Sequence, residues 1–172
     1  LTTGTKYGGL GFPQTFYIAA IEMVSRADAS LMNFFGLQGG IAETIEHFGS
    51  QELKDKYLPR MATGEMTGAM ALTEADAGSD LANVQTKAGG IEAMQDPVTG
   101  AWKVSGTKRF ITNGCGDVIL VLARSEDPDK KSGGRGLSFF LVEKGPQVII
   151  RRIEDKLGIH GSPTCELYFD NA

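Results

Sequence analysis

Thr67-Gly68-Ala69-Met70-Ala71-Leu72-Thr73 runs without interruption into Glu74-Ala75-Asp76-Ala77-Gly78-Ser79-Asp80. The first seven residues have the apolar, Thr-bounded character of a strand, and the next seven are small or polar, as in a turn. A strand that empties into such a turn presents backbone N–H groups and short hydroxyls. A planar or anionic ligand can then approach without meeting large side chains. An ordinary connector closed by Asx turns fits the same residues.

The hydrophobic period changes at this junction. Upstream of residue 66 apolar residues recur at helical spacing. Phe12-Pro13 opens a segment with Phe16, Tyr17, Ala20, Ile21 and Val24 on one face, and proline suits a first helical turn. Asp28 is a plausible N-cap for a second segment with Leu31, Met32, Phe34 and Phe35, continued by Ile41, Ile45 and Phe48 to Gly49. Gly36, Gly39 and Gly40 interrupt it, and each costs up to about 1 kcal/mol inside a helix. They either break the helix or admit another backbone closely. Ser50 caps a third helix from Gln51 to about Tyr57, with Pro59 limiting its extension.

Downstream the pattern is that of strands, expected at 67–73, 83–89, 101–106, 107–112, 117–124, 137–143, 147–152 and 165–170. Asp96-Pro97-Val98-Thr99-Gly100 reads as a hairpin turn, and 127–136 as a polar, Gly-rich loop. No helix-length pattern separates these strands, which argues against parallel βαβ units. The expected class is α+β: a partial helical bundle over 1–66, then an antiparallel β-barrel or sandwich over 67–172. The chain opens at Leu1 without an initiator Met and stops at Asn171-Ala172 just after a strand-like run. It therefore reads as an internal piece of something longer.

Composition narrows the functions. A formal net charge of −4 over 172 residues gives no bulk attraction to nucleic acid. No apolar run approaches the roughly 20 residues of a membrane span. Cys115 and Cys165 form no C-x-x-C pair, so a disulfide framework and a zinc site are not expected, and both read as small buried hydrophobes. His47 and His160 stand singly, too isolated for a metal site. There is no phosphate-loop motif, no G-x-G-x-x-G between strand and helix, and no G-x-S-x-G elbow.

Longer stretches carry more. Residues 70–80 resemble the "VTEPGAGSD"-type signature of acyl-CoA dehydrogenases, with Ala75 where proline is usual. Trp102 to Gly114 resembles that family's "G-x-K-x-(W/F)-I-T-N" stretch, and Leu120–Arg124 its "xLAR" strand. Lys156 to Thr164 is similar to its "K-x-G-x-x-x-S" run, and Tyr7 to Gly11, His47 to Ser50 and Lys56 to Pro59 match its helical domain. The order and spacing agree along essentially the whole chain. The Gly-Ile-His-Gly-Ser-Pro-Thr-Cys run, 158–165, resembles the longer bacterial members, among them 3-methylmercaptopropionyl-CoA dehydrogenases. The missing proline at Ala75 is expected to loosen the turn by up to about 1 kcal/mol.

The resemblance implies an FAD site. Met70, Leu72 and Thr73 would run along the polar edge of the isoalloxazine. Gly78 and Ser79 would lie where cofactor and thioester arm meet the loop, with Ser79 also a substrate contact. Phe110, Ile111 and Thr112 would flank the ring, Thr112 reaching towards N5. The implied reaction is α,β-dehydrogenation of an acyl-CoA by a cytoplasmic enzyme of fatty acid metabolism. Electrons would pass to an electron-transferring flavoprotein, and the full-length protein would be a homo-oligomer. The catalytic base is expected on a C-terminal helical domain outside this chain, so the fragment alone is expected to be inactive. An acyl-CoA oxidase, or a non-catalytic binding module with the same fold, remain the alternatives.

Overall fold

A computed structural model of the chain describes residues 1–88, 100–126 and 133–172. Three helices come first: α1 (Gln14–Ala27), α2 (Ala29–Phe48) and α3 (Gln51–Thr63). Asp28 caps α2 as its side-chain chemistry predicts, Oδ1 accepting from the N–H groups of Ser30 at 2.7 Å and Leu31 at 3.1 Å. Ser50 Oγ does the same for α3 through Leu53 N–H at 3.3 Å.

The glycines of α2 do not break it. Tyr17 lays its phenol across this stretch and donates to the Gly36 carbonyl at 2.8 Å. A Cβ on Gly39 would stand 2.5 Å from the Tyr17 oxygen. What approaches closely is a side chain, not a backbone. On α1 the half-buried stripe is Tyr17, Ala20, Ile21 and Val24, whereas Phe16 points outward beside Phe12. Leu31 and Phe48 of α2 are likewise exposed.

Pro59 does not end α3, which continues to Thr63. The proline sits on the exposed side, while Tyr57, Leu58 and Met61 around it are buried. Each such burial contributes roughly 1.5–3 kcal/mol, enough together to offset the roughly 3 kcal/mol of an interior proline.

Among the described residues seven strands follow: β1 (Gly68–Ala71), β2 (Lys87–Ala88), β3 (Val104–Thr112), β4 (Val118–Arg124), β5 (Leu137–Glu143), β6 (Val148–Ile153) and β7 (Thr164–Phe169). The strand order is β1-β4-β2-β3-β7-β6, with β5 also on β4. The α+β class therefore holds, with β2–β3, β3–β7, β4–β5 and β6–β7 antiparallel. Two pairings depart from the antiparallel expectation. β1 lies parallel to β4 over four residue pairs, and β2 meets β4 in parallel at Lys87 and Arg124. The chain between β1 and β4 contains β2 and β3, and so is long enough for a crossover without a helix.

Where 101–106 and 107–112 were expected as two strands, β3 is one, its register on β7 unbroken from Gly106 to Lys108. The start of the expected 83–89 strand is a 3₁₀ turn, Leu81–Asn83. Most of the expected hairpin turn at 96–100, and 127–132 of the expected loop, lie outside the described residues; Gly133–Gly136 is a 3₁₀ turn.

Two cores share β4. Val118 and Leu120 face Tyr7, Ile41, Ile45, Leu58 and Met61 of the helical side. Ile119, Val121 and Ala123 face Ala69, Ala71, Val104, Ile111, Cys165, Leu167 and Phe169. β1 is thereby fixed between helices and sheet, and its exit at Leu72 is brought beside β3. Among the described residues no helix is long and apolar enough to cross a membrane.

Candidate cofactor site where β1 meets β3

Lys108 organises this region. Its side chain is fully buried, and Nζ donates to the Leu72 carbonyl at 3.0 Å and to Glu74 Oε1 at 2.8 Å. One residue on, Arg109 N–H donates to the Thr73 carbonyl at 2.8 Å. Three consecutive loop residues are thus tied to two consecutive strand residues. Glu74 in turn accepts from Gln85 N–H at 2.7 Å and Thr86 N–H at 2.8 Å, so the far end of the loop is held by the same carboxylate.

Burial pushes the Glu74 carboxyl upward, but the donors from Lys108, Thr86 and Gln85 prevail and hold it below the ordinary carboxylate value. Burial drives the Lys108 ammonium below its ordinary value, with Glu74 opposing. The two groups face each other at 2.8 Å as a salt bridge, and Glu74 is committed to structure, with no role as a free base.

β3 changes character just beyond Lys108. Its pairing with β7 slips between Lys108 and Ile111, and Phe110 takes a left-handed φ of 57°. Strand alternation would put 108 and 110 on one face. The bulge instead turns Lys108 and Ile111 inward and leaves Phe110 57% exposed. A bulky residue with positive φ is strained, and such strain clusters at ligand sites. Asn113, also at positive φ, closes the strand: Nδ2 donates to the Gly68 carbonyl at 2.9 Å, and its N–H to the Pro163 carbonyl at 2.8 Å. Thr112, paired with Thr164, lies between these anchors.

The eight residues expected at the site fall into four pairs. Leu72 and Thr73, half-buried, are joined directly to β3. Phe110 sits in the bulge of that strand and Thr112 just beyond it, exposed and half-buried respectively. Gly78 and Ser79 lie exposed on the turn, which closes through Glu74 N–H on the Ala77 carbonyl at 2.9 Å. Two side chains turn elsewhere: Met70 packs against the helical core, and Ile111, 2% exposed, is part of the sheet core. Met70 is only partly buried there, whereas Ile111 is closed off. Together these residues line the exit of β1, the turn that follows it and β3 from its bulge onward. A cleft of about 450 Å³ lined by Tyr57, Trp102, Phe140 and Glu143 lies elsewhere, between α3 and β5.

The residues fit a flat, polar-edged ring. Thr73 and Thr112 offer hydroxyls, Phe110 an uncovered aromatic surface, and the turn is free of bulk: a Cβ on Gly78 would meet Thr73 Cγ2 only at an ordinary 3.6 Å.

Three supporting residues were not assigned roles from the sequence. Lys108 had a signal, a lysine at an inward strand position. Arg124 is nearly buried and donates to the carbonyls of Ala82 at 2.7 Å, Val84 at 3.2 Å and Gly133 at 3.4 Å, fixing the chain after the loop. Asn113 follows a strand with no local signal that its amide reaches β1.

The chain matches the family description "Acyl-CoA dehydrogenase, N-terminal domain" over residues 1–65 and "Acyl-CoA dehydrogenase, middle domain" over 69–172. A 3-methylmercaptopropionyl-CoA dehydrogenase of Ruegeria pomeroyi is 39% identical over 188 residues, covering 100% of this chain and 31% of that protein. An acyl-CoA dehydrogenase structure from Geobacillus kaustophilus superposes with a TM-score of 0.88 at 36% identity, over 99% of this chain and 43% of the other. A glutaryl-CoA dehydrogenase from Mycobacterium smegmatis, in complex with FADH2, superposes with a TM-score of 0.80 at 34% identity, over 96% and 40%. The chain spans about 40% of the length of several curated relatives it matches.

Proposed function

Because the chain belongs to the acyl-CoA dehydrogenase family, we propose that the protein carrying it is an FAD-dependent enzyme that introduces an α,β double bond into an acyl-CoA thioester. The observation that carries the reading is the tie between the Leu72–Glu74 loop and Lys108–Arg109 of β3. It holds Thr73 in a fixed relation to the strand that bears Phe110 and Thr112. FAD, when bound, supplies the acceptor for the β hydrogen, taken as hydride.

The chain's own residues bind and orient. Thr73 and the backbone of Met70 and Leu72 meet the polar edge of the ring, and Phe110 covers part of it. The Thr112 hydroxyl donates near the nitrogen where negative charge develops on reduction. Gly78 gives room for the thioester arm and Ser79 contacts the substrate. The loop's half-buried carboxylate, Glu74, is engaged by Lys108, so the base that removes the α proton is assigned, as part of this proposal, to the C-terminal helical domain that the family resemblance implies. Residues 1–66 then form part of a helical domain and 67–172 the middle domain of the parent. An electron-transferring flavoprotein as acceptor, a homo-oligomeric assembly and a cytoplasmic location belong to the same proposal.

Anaerobic addition of a panel of acyl-CoAs to the full-length protein tests this. Bleaching of the flavin bands by at least one acyl-CoA is expected, and no bleaching by the isolated chain. A colourless full-length protein, or a yellow one that no acyl-CoA bleaches, overturns the reading. In the full-length protein Thr112→Ala should slow flavin reduction about tenfold or more while leaving FAD retention nearly unchanged. Unaltered reduction kinetics remove Thr112 from that role.

A further inference from the structure

The chain's two cysteines, 50 positions apart in sequence, meet in space: Cys115 Sγ and Cys165 Sγ are 3.6 Å apart. The register brings Cys165 of β7 opposite Ile111 of β3. The chain then leaves β3 in a tight turn, with Gly114 N–H on the Ile111 carbonyl at 3.1 Å and Gly116 N–H on the Asn113 carbonyl at 2.8 Å. That turn folds over Cys165 so closely that a Cβ on Gly114 would lie 2.6 Å from Cys165 Cβ. Glycine at 114 is what lets the turn carry Cys115 onto Cys165. The expectation of buried or half-buried thiols agrees with this arrangement, but their distance in sequence gave no sign that they meet.

The two sulfurs are not equivalent. Cys165 is fully buried and Cys115 is partly open to solvent. Burial and the neighbouring Cys115 sulfur push the Cys165 thiol up to about 12. A disulfide requires the sulfurs to close from 3.6 Å to about 2.05 Å. Cys115 stands on a turn, not within a strand ladder, and can supply that movement.

We propose that Cys115 and Cys165 form a reversible dithiol–disulfide site, in which Cys115 meets an external peroxide and Cys165 resolves the product. The Cys115 thiolate attacks one oxygen of hydrogen peroxide. The O–O bond breaks, Cys115 becomes a sulfenic acid, and the hydroxide that leaves takes up the proton the thiol gave up on ionising, departing as water. The Cys165 sulfur then attacks the Cys115 sulfur, the S–O bond breaks, and the departing hydroxide takes the Cys165 proton as a second water. Two thiols and one peroxide thus give one disulfide and two waters. The bond joins β7 to the turn that holds the β1 carbonyl of Gly68 through Asn113. The site does not depend on the flavin reading.

The test uses the full-length protein treated with hydrogen peroxide at a dose that oxidises added glutathione, then denatured, alkylated and digested. Mass spectrometry should show the peptides of Cys115 and Cys165 joined with the loss of two hydrogens, and a thiol reductant should separate them again. In Cys165→Ala the link should vanish and Cys115 should accumulate as sulfenic or sulfinic acid. Two findings in the wild-type protein overturn the proposal: both cysteines recovered alkylated, or Cys115 carried to sulfinic acid with Cys165 still free.

Discussion

β4 and β3 are close in the chain and share the sheet core, yet they are built on opposite principles. β4 is Val-Ile-Leu-Val-Leu-Ala-Arg, buried along nearly its whole length and covered on both faces. Its regular pairing with β5 runs from Val118 to Arg124 without a slip. β3 is Val-Ser-Gly-Thr-Lys-Arg-Phe-Ile-Thr. It buries a lysine, slips its register and forces a phenylalanine into left-handed space. One strand is held mainly by apolar area, with Arg124 bonding three carbonyls only at its end; the other is held by an ion pair and hydrogen bonds that also hold a loop. The irregular strand carries Phe110 and Thr112, two of the residues expected at the site, and local rules give way most often where function needs it.

The comparison breaks most sharply at Lys108. Lys108→Met would leave Glu74 nearly buried without its cation, a loss of about 3–5 kcal/mol, read as a fall in the urea midpoint. Adding Glu74→Gln should recover only part of it, because Gln85 and Thr86 would lose a charged acceptor. Full recovery would mean the pair acts alone and the loop is held by something else. Acid should act at the same point. Glu74 titrates below its ordinary value of 4.5, so its contribution is complete above that pH and lost as pH falls through the lower folded-state value. Removing Glu74 should flatten the acid limb of a stability–pH curve below 4.5. An unchanged limb would separate Glu74 from acid sensitivity. On the regular strand Ile119→Ala should cost about 3 kcal/mol from lost burial and a residual cavity, with no special dependence on pH. A pH-dependent loss there would erase the distinction between the strands.

The same contrast explains what could be read from the sequence. β4 was legible because an unbroken apolar run has one good solution in a small protein, burial on both faces. The caps at Asp28 and Ser50 were legible because their oxygens act within three residues. The loop at 72–80 and the strand at 108–112 were identified as partners through family resemblance, and the hydrogen bonds between them support that pairing. What was not legible depends on distant contacts. Pro59 is tolerated because of cores that neighbouring helix residues enter, and β1 runs parallel to β4 because β2 and β3 intervene. Met70 and Ile111 belong to a recognisable motif, but which way their side chains face is set by β1's place between two cores and by the bulge in β3.

Phe110 offers the finest separation of stability from function. Its ring is mostly exposed, so little core burial is at stake, while its positive φ costs a non-glycine residue roughly 1–2 kcal/mol. Phe110→Gly removes the strain but also frees the unfolded chain, an opposing term of up to about 1 kcal/mol. The net change in stability should therefore stay within about 1 kcal/mol in the stabilising direction, visible as a small rise in Tm. If the exposed ring is there for the flavin, the same variant should lose FAD more readily on dilution of the full-length protein. A clear drop in Tm would show that Phe110 is a packing residue after all. Undiminished FAD retention would leave the strain at the bulge without the purpose assigned to it.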